Sequence, residues 1–265
     1  MAKPHIRNDK YETTGEIRET PSGVTVWRIR ARKSFGWVKK GELGGFIENE
    51  ENLSTQDKAW VRNNACVFGR ALIFGDALVS DRATVYDRAL VCDQAQVTGL
   101  SSVFEDAKVS GEACISGAAK VSGCAVVAGN ALIKGYASVC VNSVIKDEAV
   151  VYDNATIVSA SVSGRAHVRG GSYVQGVTVS GQTCIGYAAL VTQPNHFITI
   201  SPIGSEAGCL TAYLQSDGTI IYERGCFTGT KSEFLAAVKK KHSNTQIQKQ
   251  YKLCVSLVET RLLHK

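Results

Sequence analysis

The stretch that decides the fold is Val85-Tyr86-Asp87-Arg88-Ala89-Leu90-Val91-Cys92-Asp93-Gln94-Ala95-Gln96-Val97. A Val returns at every sixth position, and a small residue, Ala89 or Ala95, stands four places after it. Between them lie an Asp and a polar residue. The unit extends in both directions, from Val61 through Val67, Ile73 and Val79 to Ile115, Ile133 and finally Val191. Alternation puts each Val or Ile inward and its two neighbours outward. The Gly or Asp and the polar residue then turn the chain, and the small residue lets that corner pack closely. One six-residue side cannot close on itself, so three sides of 18 residues in all make a coil. The 131 residues from Val61 to Val191 give about seven coils. Parallel strands about 4.8 Å apart make this a column roughly 30–35 Å tall. Each coil buries about three Val or Ile side chains at roughly 1.5–3 kcal/mol apiece, mostly against the coils beside it.

The pattern Val/Ile, any residue, Gly/Asp, any residue, Ala/Ser, any residue is seen again in Val109-Ser110-Gly111-Glu112-Ala113-Cys114. It resembles the hexapeptide repeat of left-handed parallel β-helix proteins. The resemblance covers about half the chain. It implies a mainly β protein: a single-stranded parallel β-helix, triangular in section and left-handed. The spacing itself does not supply that handedness, which departs from the usual right-handed crossover. The leader Leu43-Gly44-Gly45-Phe46-Ile47-Glu48-Asn49-Glu50-Glu51-Asn52-Leu53-Ser54 and the tail Gly225-Cys226-Phe227-Thr228-Gly229-Thr230 are similar to segments of uncharacterised phage and prophage proteins with such repeats. The resemblance implies a phage or prophage protein and brings no catalytic residues with it.

Three parts follow: an N-terminal β-hairpin and cap over 1–58, the β-helix over 59–193, and a small α+β domain over 194–265. Residues 1–9 read as an arm. A hairpin is expected from Tyr11 to Ala31, turning at Pro21-Ser22-Gly23, with Val24, Val26 and Arg28 on one side. Phe35-Gly36-Trp37-Val38 reads as a short strand, and residues 40–58 as an irregular entry coil out of phase with Val61. A cap is required there, because a first coil would otherwise expose its apolar end and an unpaired edge. Ile157 to Val162 and Val174 to Val179 each drop one residue at a corner, 17 residues apart. They are expected to stack on one edge, as tight corners or as a notch for a ligand. Beyond Gln193-Pro194-Asn195, strands are expected at Phe197–Ile200, Leu210–Leu214 and Thr219–Tyr222, with a turn at Ser216-Asp217-Gly218. Thr230-Lys231-Ser232-Glu233 has the form of a capping box. A second amphipathic helix carries Ile247, Tyr251, Val255, Val258 and Leu262.

The net charge of +6 is uneven. Residues 1–60 hold 11 basic and 9 acidic side chains, residues 61–193 hold 10 of each, and residues 194–265 hold 9 and 5. A nucleic-acid binder working through its solenoid needs a basic stripe there, and the neutral repeat supplies none. No apolar run reaches the roughly 18 residues of a membrane span. Met1-Ala-Lys-Pro-His has no apolar signal core, so the expected location is the cytoplasm of the bacterial host. The nine cysteines lack C-x-x-C spacing and read as small fillers in a reducing compartment.

Acyltransferases are the best-known enzymes of this fold, and the resemblance implies a His base beside a projecting loop. Here the hexads run without a long insertion from Val61 to Ile157, and His167, between Arg165 and Arg169, is the only His in the repeat. It is the sole weak catalytic candidate. The fold's carbonic anhydrases need three His for zinc, and His5, His167, His196, His242 and His264 are too scattered, so neither metal nor other cofactor is expected. The tail turn Gly225–Thr230 is a minor candidate for holding an anion on helix amides.

The outward positions carry more. Residues 18 apart stack, so Phe68, Tyr86 and Phe104 form an aromatic ladder with Arg70 and Arg88 at the adjoining corner. Rings edged by arginines suit a base and a phosphate. Arg165 and Arg169 complete the ligand-binding candidates. Leu72, Phe74 and Leu90 on one face, and Leu78, Leu132 and Val150 on another, are the candidates for a subunit interface. The expected partners are other copies of the chain, as a trimer, and a small nucleotide-like ligand. The functional expectation is a non-enzymatic phage binding protein that sequesters a phosphate-bearing host defence signal. An acyltransferase and a structural or virion component are the alternatives.

Overall fold

A computed structural model describes residues 6–263. The Val and Ile residues of the hexads lie on short strands stacked in three parallel sheets, and their side chains fill the prism. Leu72 pairs with Leu90, Val85 with Val103 and Leu78 with Gln96. The sheet that runs from Trp60–Val61 to Cys184–Ile185 has eight strands, so the column has about eight coils where the period alone gives seven. The leader supplies the two sides that complete the first coil, whose third side is Trp60–Val61. Ile47 pairs with Val67 and Leu53 bridges Ile73, each 20 residues on, whereas Val61 pairs with Val79, 18 on. Two additional residues between Leu53 and Val61 push the leader out of phase, so residues 40–58 build those two sides.

The corners show why Gly and Asp share one position. Both place the backbone in the left-handed region, with φ of 60° at Asp93 and 70° at Gly117. A carboxylate there reaches the next coil. Asp93 accepts from the Gly111 amide at 2.9 Å, Asp81 from Gly99 at 3.1 Å and Asp147 from Gly164 at 2.8 Å. The two short corners do stack, with Val158 paired to Gln175. Ser143 packs the space below them, donating to the Cys140 carbonyl at 2.6 Å, so the corner is tight and not a notch.

Below the first coil, the hairpin Tyr11–Glu19 and Thr25–Ala31 continues one prism sheet through Leu43–Ile47. Ile29 and Ala31 face the prism core, while Val26, on the opposite face of the strand, packs with the outward residues Phe46, Cys66 and Phe68. Phe35-Gly36-Trp37-Val38 is a tight turn bridged from Phe35 to Val38 and not a strand. Tyr11 and Phe35 meet Trp60 edge-on and close the apolar end. Lys10 lies buried among them, donating at 2.7 Å to the carbonyls of Ser54 and Ala59. Of the expected arm, residues 1–5 lie outside the described residues, and Ile6 packs against the core.

The C-terminal part is a four-stranded antiparallel sheet, Phe197–Ile203, Gly208–Leu214, Ile220–Arg224 and Phe227–Gly229, followed by helices Lys231–Lys241 and Thr245–Leu263. Tyr213 and Ile221 join the prism core, while Leu210, Ala212 and Tyr222 pack with Phe234, Tyr251, Val255 and Val258. The tail motif has another role than the one read from it. Gly225-Cys226 turns the last hairpin, and Glu233 accepts the Thr230 amide at 2.8 Å. The protein's own carboxylate therefore stands where an anion was expected. No helix among the described residues is long and apolar enough to cross a membrane.

Candidate functional site

Phe68, Tyr86 and Phe104 each follow an inward Val by one position and are the last outward residues before a corner. Coil stacking brings their rings into register. Successive centroids are 5.0 Å apart and the planes differ by 4° and 1°. Tyr86 therefore has both π faces covered by its neighbours. Phe68 is buried against Val26, Phe46 and Cys66. The ladder stops where Ser122 succeeds Phe104, so the upper face of Phe104 is its open face. Elsewhere the rings present edges, whose hydrogens carry positive partial charge.

The arginines read as partners of the ladder are mostly engaged. Arg88 holds Asp106 through two bonds of 2.6 Å, which raise the arginine's pKa and lower that of the aspartate. Arg70 is exposed in the same open corner, a cleft of about 550 Å³ shared with Asp87, Glu105 and Asp106. That mixture of signs is a poor phosphate site. Arg165 pairs with Glu148 at 3.0 Å and Arg169 with Glu223 at 2.7 Å, both far along the chain from the ladder near the C-terminal sheet. They do not join the aromatic site.

The hairpin tip supplies what the repeat count does not reveal. The Arg18 guanidinium lies 4.0 Å over the Phe46 ring and donates to the Asn64 carbonyl at 3.2 Å and its Oδ1 at 3.0 Å. This contact brings Thr20, Pro21 and Ser22 over the outer face of the prism. Between tip and face lies a cavity of about 400 Å³, lined by Phe68, Arg82, Thr84, Tyr86 and Ser102 among others. The hydroxyls of Thr84 and Ser102 are 2.9 Å apart. The Arg82 side chain makes no ion pair or hydrogen bond among the described residues. The 18-residue count could have placed Arg82 and Thr84 beside the ladder, but nothing in it foretold the overhanging tip.

The interface candidates fall on two faces. Leu72, Phe74 and Leu90 share one, and Leu78, Leu132 and Val150 share another. All are half-buried by their stacked neighbours. Neither column is continuous: Lys108 interrupts the first, and Gln96 interrupts the second. The most exposed large apolar side chains are others, including Tyr136 at 73%, Leu253 at 64% and Ile17 at 62%.

His167 continues the Val150 column, between Val150 and Cys184. It is half-buried, edge-on to Tyr152 at 6.2 Å, beside a cleft of about 330 Å³ that includes Cys184, Cys209 and Glu223. Burial, and then the nearby Arg169 charge, lowers its pKa. Burial pushes the Cys184 thiol up to about 11, with Glu223 adding to the shift, so it is a protonated thiol at neutral pH. His196 lies against the Leu190 carbonyl and His242 stacks on Tyr251, while His5 and His264 lie outside the described residues. No group of three His, Cys, Asp or Glu among the described residues is placed to hold a metal.

No family model matches the chain, and no curated protein matches it.

Proposed function

We propose that this is a non-enzymatic, oligomeric binding protein that sequesters a small phosphate-bearing molecule of the nucleotide class. In this reading it is a phage- or prophage-encoded solenoid of the hexapeptide-repeat superfamily. It works in the bacterial cytoplasm against a host defence signal and assembles as a trimer through its outward apolar columns. The observation that carries the reading is the three-ring ladder, whose Phe68 and Tyr86 line a cavity containing arginine and whose upper end is the open face of Phe104. A base continuing the stack on Phe104 gains roughly 1–3 kcal/mol, and an arginine on the phosphate adds charge-assisted bonds.

The test is to purify the protein from cells, denature it and identify any released nucleotide by mass spectrometry, followed by calorimetry across a nucleotide panel. Phe104→Ala is expected to weaken the best ligand by about tenfold, as loss of one stacking contact implies. No released nucleotide and no affinity across the panel would put the structural or virion role in its place. One observation favours a second reading, an acyltransferase. His167 stands half-buried beside a cleft, and burial with the Arg169 charge favours its neutral form, the form that can accept a proton. Acetyl-CoA turnover that disappears in His167→Ala would establish that reading.

A further inference from the structure

We infer that the cavity beneath the hairpin tip is a phosphomonoester subsite, with Arg82 as the side chain that holds the anion. The inference rests on the ligand-binding reading above and names the chemical group the site takes. At about 400 Å³ the cavity falls in the roughly 300–1,000 Å³ range of small-molecule sites. Its lining has a direction. Arg82 at the corner, Thr84 on the strand Thr84–Val85 and Tyr86 just beyond it follow one another on the outer face, with Ala83 and Val85 buried between them. Guanidinium, hydroxyl and ring edge follow one another as phosphate, sugar and base do in a mononucleotide. The hydroxyl pair of Thr84 and Ser102, already 2.9 Å apart, can pass hydrogen bonds to a sugar. Ring edges at Phe68 and Tyr86 favour oxygen-rich groups over a stacked apolar one.

The charges single out Arg82. Arg18 also lines the cavity, but Asn64 and the Phe46 ring engage its guanidinium. Glu19 is the opposing carboxylate in the lining, and its Oε1 turns toward the Gly23 turn, 3.7 Å from where a Cβ would stand. Asp81, next to Arg82 in sequence, accepts from Asn63 and from the Gly99 amide. Arg82 keeps its donors for a ligand, and a planar fork suits phosphate oxygens bidentately.

The experiment is calorimetry and thermal shift on the full chain with AMP, ribose 5-phosphate and adenosine as probes. AMP and ribose 5-phosphate are expected to bind and adenosine to bind at least tenfold more weakly. Arg82→Gln should weaken both phosphates at least tenfold, Arg82→Lys should recover part of the loss, and Glu19→Gln should tighten both. The exposed Arg82 side chain lets both variants melt as the wild type does, which is the folding control. AMP binding that Phe104→Ala weakens and Arg82→Gln leaves intact would overturn the subsite and leave the proposed function standing. Phosphate binding lost in Arg82→Gln but untouched by Phe104→Ala would keep the subsite and remove the ladder from the function. No binding by any probe overturns both.

Discussion

Replacing Gly117 by Ala, and separately by Asp, tests whether the corners join one coil to the next. Gly117 has φ of 70°, and a Cβ added to it would meet the amide nitrogen and the carbonyl oxygen of Gly135, each at 2.8 Å. Those atoms are backbone, so the corner itself must move. Corner residues that carry a side chain show where it would go: Asp81, Asp87 and Asp93 have φ of 61°, 59° and 60°. A left-handed Ala costs roughly 1–2 kcal/mol, and the shift of the backbone adds to it, so Gly117→Ala should lose about 2 kcal/mol. Gly117→Asp brings the same Cβ, but its carboxylate can accept the Gly135 amide, as Asp93 accepts Gly111 at 2.9 Å. Such a bond contributes about 1 kcal/mol, and Asp tolerates the left-handed region better than Ala.

The Asp variant should therefore lose about half as much as the Ala variant. For a chain of this size 1 kcal/mol moves Tm by roughly 2–4 °C, so the two should be separable by circular dichroism melts. Gly181→Ala is the control. Its φ is 71° and nothing lies within 4 Å of the added Cβ, so it reads the backbone cost alone. Equal melting of the Ala and Asp variants would refute the cross-coil bond. A Gly181→Ala loss as large as that of Gly117→Ala would refute the contact with Gly135.

Other parts of the molecule give further predictions. Glu223 is 5% exposed and is held by Arg169 at 2.7 Å and by the Tyr213 hydroxyl at 3.3 Å, so Arg169→Met should destabilise the chain by about 2–3 kcal/mol in urea melts. An unchanged midpoint would mean that the pair does not join the C-terminal sheet to the prism. Burial pulls the Lys10 pKa down to about 8, against the raising influence of Asp57. The folded state therefore binds less proton than the unfolded state between about pH 8 and the ordinary lysine value of 10.5. Stability relative to Lys10→Met should rise over that window, by at most about 3 kcal/mol, and a gap independent of pH would contradict the buried charge. Light scattering should give three times the 28.4 kDa chain mass, and a monomer would remove the trimer.

The repeat made the interior legible because one rule, a Val or Ile every sixth residue, governs the column from Val61 on, apart from the five-residue steps at Ile157–Val162 and Val174–Val179. That rule fixed which outward residues share a column, and so placed Phe68, Tyr86 and Phe104 together. It misjudged the leader because a two-residue insertion before Val61 shifts phase without breaking the stack. The charged partners were hidden for a different reason. Arg88 with Asp106 is an 18-residue neighbour and could have been read from the period, but Arg169 meets Glu223 across 54 residues and a change of fold. The last short strand, Phe227–Gly229, was obscured because a Gly/Thr-rich turn before a helix has the same composition as the end of a hairpin. The tip over the face had no local signal at all, since Arg18 meets Phe46 and Asn64, residues of other elements far along the chain.

The cleft that the prism corners form at Arg70 and Arg88 is shared with Asp87, Glu105 and Asp106, so an anion site needs something that projects over a face. Here the hairpin tip and the C-terminal sheet both do so, each beside half-buried outward residues of the column. At the C-terminal end the charges are largely consumed. Arg169 holds Glu223, Arg165 holds Glu148, and Cys184 is kept protonated. Of these, only the Arg169–Glu223 pair joins the prism to the C-terminal sheet, and no ion pair or hydrogen bond among the described residues orients the His167 ring. At the N-terminal end the cap, needed in any case to close the first coil, overhangs the aromatic ladder and leaves Arg82 unengaged among the described residues. A ligand that must be held by charge finds available donors at the N-terminal end. The binding role proposed above therefore belongs to the N-terminal end of the column, while at the other end Tyr213 and Ile221 pack against the prism core.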